Sequence, residues 1–189
     1  MADFVSNLLI KSIHSTGRRL RRGLKTSGVE YSLHDGRGRR KYLVAAERAA
    51  FVLAADLVGG EVATFCLVLA LSGARLSEAL ALTFVQLDEL AGTINFETLK
   101  RRKRGVIRAV PMPTILFDQL DQVHGFREAQ RDPLRAGARL WDWSRTTGWR
   151  KVRRVMRTAN NPLHLSNARA LRHAFGAQAA LSQIPLTQI

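Results

Sequence analysis

Acidic residues are scarce in this sequence: 15 Asp and Glu stand against 30 Lys and Arg in 189 residues, a formal charge of +15. That excess repels itself at low salt unless a polyanion neutralises it, and nucleic acid is the polyanion it suits. A solvated cationic surface, the bland reading, usually mixes both signs more evenly. Cysteine is nearly absent. One residue, Cys66, excludes an internal disulfide, and its place within the apolar run Val62–Leu71 suits a small buried hydrophobe. The chain therefore reads as reduced and intracellular. No apolar run reaches the roughly 18 to 20 residues of a bilayer span, because Glu61 and Arg75 bracket the longest one. The Arg-rich start carries no apolar segment of the kind a signal peptide needs, so the expectation is no membrane. Tyrosine is rare too: only Tyr31 and Tyr42 occur.

What is present is enough apolar residue, 46%, to build a core. Residues 1–41 differ from the rest, with ten Lys or Arg against three acids and a glycine-rich stretch at Gly36–Gly38. They read as a basic N-terminal arm or linker, with a possible short helix over Asp3–Ile13 and a cluster Arg18, Arg19, Arg21 and Arg22. From Val44, apolar residues recur at helical spacing through Phe51, Val52, Ala55 and Val58 until Gly59 and Gly60. A more apolar helix is expected over Glu61–Leu71, and another from about Leu76. Thr93–Thr98 alternates β-formers with polar residues, and Val106–Val110 returns, which predicts a hairpin with the tip Lys100–Arg104. Helices follow at Thr114–Val123, at Ser144 (as N-cap) to Thr158, and from Ala168 to about Gln183, with a charged loop over Arg127–Gly137. The predicted fold is mainly α with a small antiparallel β-sheet. Phe51, Phe65, Leu67, Leu69, Leu80, Ile94, Val110, Leu171 and Phe175 are its predicted core.

Three features carry chemistry. Arg75 follows a turn after the apolar helix and stands three residues before Glu78. A guanidinium fork binds phosphate bidentately and a carboxylate can hold it in place, although taken alone the spacing slightly favours a plain structural Arg–Glu pair at a helix start. The tip Lys100, Arg101, Arg102, Lys103 and Arg104 is either a solvated charge run or a groove-entering element. Crowded cations would also depress the pKa of a lysine there and make it a proton donor. Arg169 and Arg172 share one face of the last helix and converge on one place, as an anion site would need. His173 beside them is a proton-transfer group or a partly buried histidine. One face of the helix before them carries Arg150, Lys151, Arg153, Arg154 and Arg157.

The order of these features resembles the catalytic domain of the tyrosine recombinases, the phage integrase family. There an arginine in a T/S-G-x-R-x-S-E-L motif precedes a hairpin lysine and then H-x-L-R-H. Here SGARLSEALALT (72–83) resembles the first arginine motif, and FETLKRRKRGVIRAVPMP (96–113) the lysine hairpin with its closing prolines. WSRTTGWRKVRRVM (143–156) and ARALRHAFGAQAALSQIPLTQI (168–189) resemble the helix before the second arginine and that arginine's own helix. Tyr42-Leu43 resembles the domain opening, so 42–189 is expected to be an integrase-like catalytic domain, incomplete at its C-terminus.

The resemblance implies a site-specific recombinase that cuts and rejoins duplex DNA through a 3'-phosphotyrosine, with no metal, ATP or other cofactor. Arg75 and Arg172 would clamp the non-bridging phosphate oxygens, and Lys100, or else Lys103, would protonate the leaving 5'-oxygen. Arg169 stands where the family has a histidine, and it cannot accept a proton; His173 takes a supporting role. Arg101, Arg102, Lys103, Arg104, Arg150, Lys151 and Arg154 would contact DNA. The family's further His or Trp and its C-terminal tyrosine are not found, so the chain is expected to bind DNA without cleaving it alone. An inactive DNA-binding paralogue and a type IB topoisomerase-like fragment are the alternatives. The resemblance also implies assembly on DNA, a tetramer in the family, and a cytoplasmic, nucleoid-associated protein of bacterial, phage or plasmid origin.

Overall fold

The computed structural model of the protein describes residues 33–98 and 105–181, with side chains through 179. The chain divides into two compact units, Met1–Lys41 and Tyr42–Ile189. In the first, His34 and Arg40 pair in an isolated antiparallel bridge. The Asp35 carboxylate turns the chain between them by accepting the backbone N–H groups of Arg37 and Arg39, each at 2.9 Å. The expected helix over Asp3–Ile13 and the Arg18–Arg22 cluster lie outside the described residues.

The second unit is mainly α-helical with one three-stranded antiparallel sheet, as predicted. Helix α1 (Ala45–Val58) starts where the Glu47 carboxylate accepts the Val44 N–H at 3.0 Å. It stops at Gly59, whose φ of 71° is a left-handed value that glycine reaches without strain. Helix α2 (Gly60–Ser72) is apolar around its whole circumference, and such a helix is stable only when enclosed. It is the centre of the unit: α1, α3 (Leu76–Leu80), α4 (Thr114–His124), α6 (Arg145–Thr158) and α7 (Ala168–Leu181) all pack on it. Cys66 sits there fully buried, and burial pushes its thiol up to about 12, so it is a packing residue.

A 3-10 turn at Phe84–Gln86 leads into the sheet, in the order β1 (Leu87–Asp88), β2 (Thr93–Glu97), β3 (Ile107–Pro111). Ile94 faces Val110 and Phe96 faces Arg108 across the β2–β3 pair. Past the paired residues Thr98 N–H still donates to Val106 C=O at 2.8 Å, so the hairpin runs to the edge of its tip. The tip itself, 99–104, lies outside the described residues. Ser144 caps α6 as expected, its hydroxyl accepting the Thr147 N–H at 3.1 Å.

Two expectations need correction. Arg127–Gly137 does not read through as a charged loop, because Phe126–Ala129 forms a further helix, α5, which buries Phe126 and Ala129. Phe175 is only half-buried, whereas the other eight predicted core residues are buried. Its ring packs on the turn at Gly73 instead of entering the interior. Among the described residues no helix is long and apolar enough to cross a membrane.

Candidate nucleic-acid interface

The turn between α2 and α3 is fixed in several independent ways. The Ser72 hydroxyl donates to the Val68 C=O at 2.6 Å and accepts the Ala74 N–H at 3.0 Å, which ends α2 and points the chain away. Gly73 takes φ 60°, and a β-carbon there would stand 2.6 Å from Cδ1 of Phe175. The position therefore requires glycine for conformation and for space. Arg75 precedes α3, and Glu78 reaches back to it. One carboxylate oxygen accepts the Arg75 backbone N–H at 2.9 Å, and the other pairs with its guanidinium. Glu78 is only 4% exposed, while the Arg75 side chain is 39% exposed.

Helix α7 brings the second arginine to the same place. Ala170, Leu171 and Ala174 bury one side of it, which turns Arg172 towards the turn. One Arg172 Nη donates to the Gly73 C=O at 2.8 Å and lies 3.8 Å from the Glu78 carboxylate. Arg48 of α1 steadies α7 from the other side by donating to the Gln178 side-chain carbonyl, and burial pushes its pKa down. A third guanidinium, that of Arg108 on β3, donates to the Ser72 C=O at 3.1 Å. Burial lowers its pKa first, Glu78 acts to raise it, and Arg172 and Arg75 lower it further, so all four charges sit within one field.

Of the residues singled out from the sequence, Arg75 and Arg172 thus come together. Arg169 is exposed one turn earlier on α7, and its side chain enters no ion pair among the described residues. His173 is half-buried next to Arg172. Lys100, Arg101, Arg102, Lys103 and Arg104 lie outside the described residues, although the strand leaving them carries Arg108 into the site.

Four of the five α6 cations singled out from the sequence line one cleft. Arg150, Arg153, Arg154 and Arg157 line a shallow open cleft with Trp149, and Arg153 lies 4.9 Å over the Trp149 ring. Lys151 does not line that cleft and lies 4.5 Å over Trp143. A cation on an aromatic face is held with roughly 0.5 to 1 kcal/mol at exposed sites. Arg108 and Arg48 were not singled out from the sequence. Arg108 has a signal there: it alternates inward with Val110 in a strand, where an apolar residue belongs.

Comparison with protein-family models and with curated proteins finds no match. Among solved structures the chain resembles the XerA recombinase, with 20% identity and a TM-score of 0.59 over 75% of this chain and 51% of that one. It also resembles the XerH site-specific recombinase bound to its difH substrate in a pre-cleavage complex, with 18% identity and a TM-score of 0.58 over 82% and 50%. A post-cleavage complex of XerH with palindromic difH gives 20% and 0.60 over 78% and 44%. The shared feature is the fold of a tyrosine recombinase catalytic domain, and the chain spans about half the length of these structures or somewhat less.

Proposed function

We propose that this chain is the phosphate-binding core of a DNA strand transferase of the tyrosine recombinase type, and that its ligand is duplex DNA. The observation that carries this reading is the convergence of Arg75 and Arg172 on one buried carboxylate, with each arginine more than a third exposed. The Glu78 carboxylate uses up only part of the donor capacity of the five-donor Arg75 guanidinium, whose side chain is still exposed. The remaining donors suit the non-bridging oxygens of a phosphodiester. The two cations then stabilise the extra charge as phosphorus becomes five-coordinate.

In the full reaction a tyrosine hydroxyl gives up its proton to solvent and its oxygen bonds to phosphorus as the bond to the 5'-oxygen breaks, and the 5'-oxygen takes up a proton. Lys100 or Lys103 at the hairpin tip is the proposed donor of that proton. Tyr31 and Tyr42 both precede the first arginine motif, so neither is assigned as nucleophile. Arg150, Arg154 and the tip cations extend the contact along the DNA backbone, and recombination would proceed on an oligomer assembled on DNA. One feature favours a second reading, an inactive DNA-binding paralogue: Arg169 stands in the histidine position and cannot act as a base.

The test is binding of the 189-residue chain to duplex DNA across a salt series, with a denaturing gel for covalent adducts. Binding should weaken steeply with salt. Arg75→Ala with Arg172→Ala should lower affinity roughly ten- to a hundredfold at moderate salt and reduce the log–log salt slope by about two. No adduct should form. An adduct would make Tyr31 or Tyr42 the nucleophile, and absence of duplex binding would overturn the proposal. In a longer product of the same gene, an adduct favours the strand transferase, and none favours the paralogue.

A further inference from the structure

Arg108 lies beneath the candidate site. It alternates inward with Val110 on β3, opposite Phe96, and its guanidinium carbon is 5.3 Å from the centre of the Phe96 ring. One of its terminal nitrogens, Nη1, holds the Ser72 C=O, and Arg172 holds the next carbonyl, that of Gly73. Two arginines from separate elements thus grip consecutive carbonyls of the turn that delivers Arg75. The other terminal nitrogen, Nη2 of Arg108, is buried and has no hydrogen-bond partner among the described residues. A buried donor left unsatisfied is destabilising. A methionine would pack on Phe96 without that penalty, so local stability does not account for an arginine here.

We infer that Arg108 is a positioning residue for the phosphate site: its hold on the Ser72 carbonyl and its charge beside Glu78 set the direction in which Arg75 leaves the turn. It does this without touching DNA, because its free donor is enclosed. The inference rests on the phosphate-binding reading of Arg75 and Arg172.

The experiment compares wild type, Arg108→Met, Arg75→Ala and the combined variant, each with 15N-labelled arginine. Two quantities are read: duplex affinity, and the Arg75 Nε–Hε signal of the DNA-free protein. Arg108→Met should weaken duplex binding about tenfold, as much as Arg75→Ala does. Added to Arg75→Ala it should cost less than about twofold more, since coupled residues are non-additive. Its Arg75 signal should move towards that of a free arginine while the unfolding midpoint stays the same or rises. Wild-type affinity, fully multiplying losses, or an unchanged Arg75 signal would each overturn the inference. If Arg108→Met does not fold, Arg108→Lys replaces it, with an affinity between wild type and Arg75→Ala expected and wild-type affinity overturning the inference. Absence of duplex binding by the wild type would sink the phosphate reading, whereas the Arg75 signal would still show whether Arg108 holds that side chain.

Discussion

Two arginine clusters in this molecule have opposite stoichiometry. On α5 the single guanidinium of Arg127 is held by three carboxylates: Glu89 at 3.0 Å, Asp118 at 2.7 Å and Asp121 at 3.1 Å. At the α2–α3 turn two guanidinia, those of Arg75 and Arg172, meet the one carboxylate of Glu78, and a third, that of Arg108, holds the Ser72 carbonyl of the same turn. The first cluster over-neutralises its cation, holds the Glu89 carboxyl below the usual range and raises the Arg127 pKa further, leaving no net positive charge for an anion. The second keeps excess positive charge beside side chains that are still partly exposed. Arginine content alone does not make an anion site; the ratio of cations to carboxylates does.

Substitutions in either cluster separate their two roles. The largest effect should come from Gly73→Ala, which combines a left-handed backbone value with a β-carbon against Phe175. A loss of about 3 kcal/mol in urea unfolding is expected, with duplex binding lost alongside it, because the same turn carries Arg75. Next, Arg127→Met should lower the melting temperature and leave the duplex salt slope unchanged, the reverse of Arg75→Ala with Arg172→Ala. If Arg127→Met weakens DNA binding as much as that pair, the division into structural and ligand clusters is wrong.

The smallest effect concerns pH. His124 ends α4 with Nε2 3.0 Å from the Thr64 hydroxyl and its ring edge-on to Trp141, and burial lowers its pKa, opposed in part by Glu61. The unfolded chain therefore takes up a proton first as pH falls below about 6.5. Stability should be complete above that value and decline below it. His124→Asn should flatten the decline in urea melts between pH 8 and 5.5; an equal decline in both proteins would place the titration elsewhere.

Legibility from sequence followed the range of the interactions involved. Arg75 with Glu78, and the hairpin of β2 and β3, are set within a few residues of each other, and the spacing shows them. Ser144 capping α6 is equally local. Arg127 lies in a polar stretch whose meaning depends on Glu89, 38 residues away, so the segment reads as a solvated loop. Phe175 looks like core by helical spacing, but the absence of a side chain at Gly73 gives its ring a different place to pack. Arg108 is not singled out by the sequence reading, although it is a charge on the inward face of a strand, and its place beside the turn emerges only when α2, α7 and β3 come together. Among the α6 cations, spacing groups Lys151 with the arginines, whereas its ammonium lies over the Trp143 ring and outside the cleft that the arginines line.

The most direct test of the Glu78-centred site is to add duplex DNA to 15N-arginine-labelled protein and follow individual guanidinium signals. The Nε–Hε signals of Arg75 and Arg172 should shift and narrow as duplex is added, while that of Arg127, neutralised by its three carboxylates, stays where it is. Duplex binding that leaves Arg75 and Arg172 unmoved would contradict the Glu78-centred site and move the interface elsewhere on the chain.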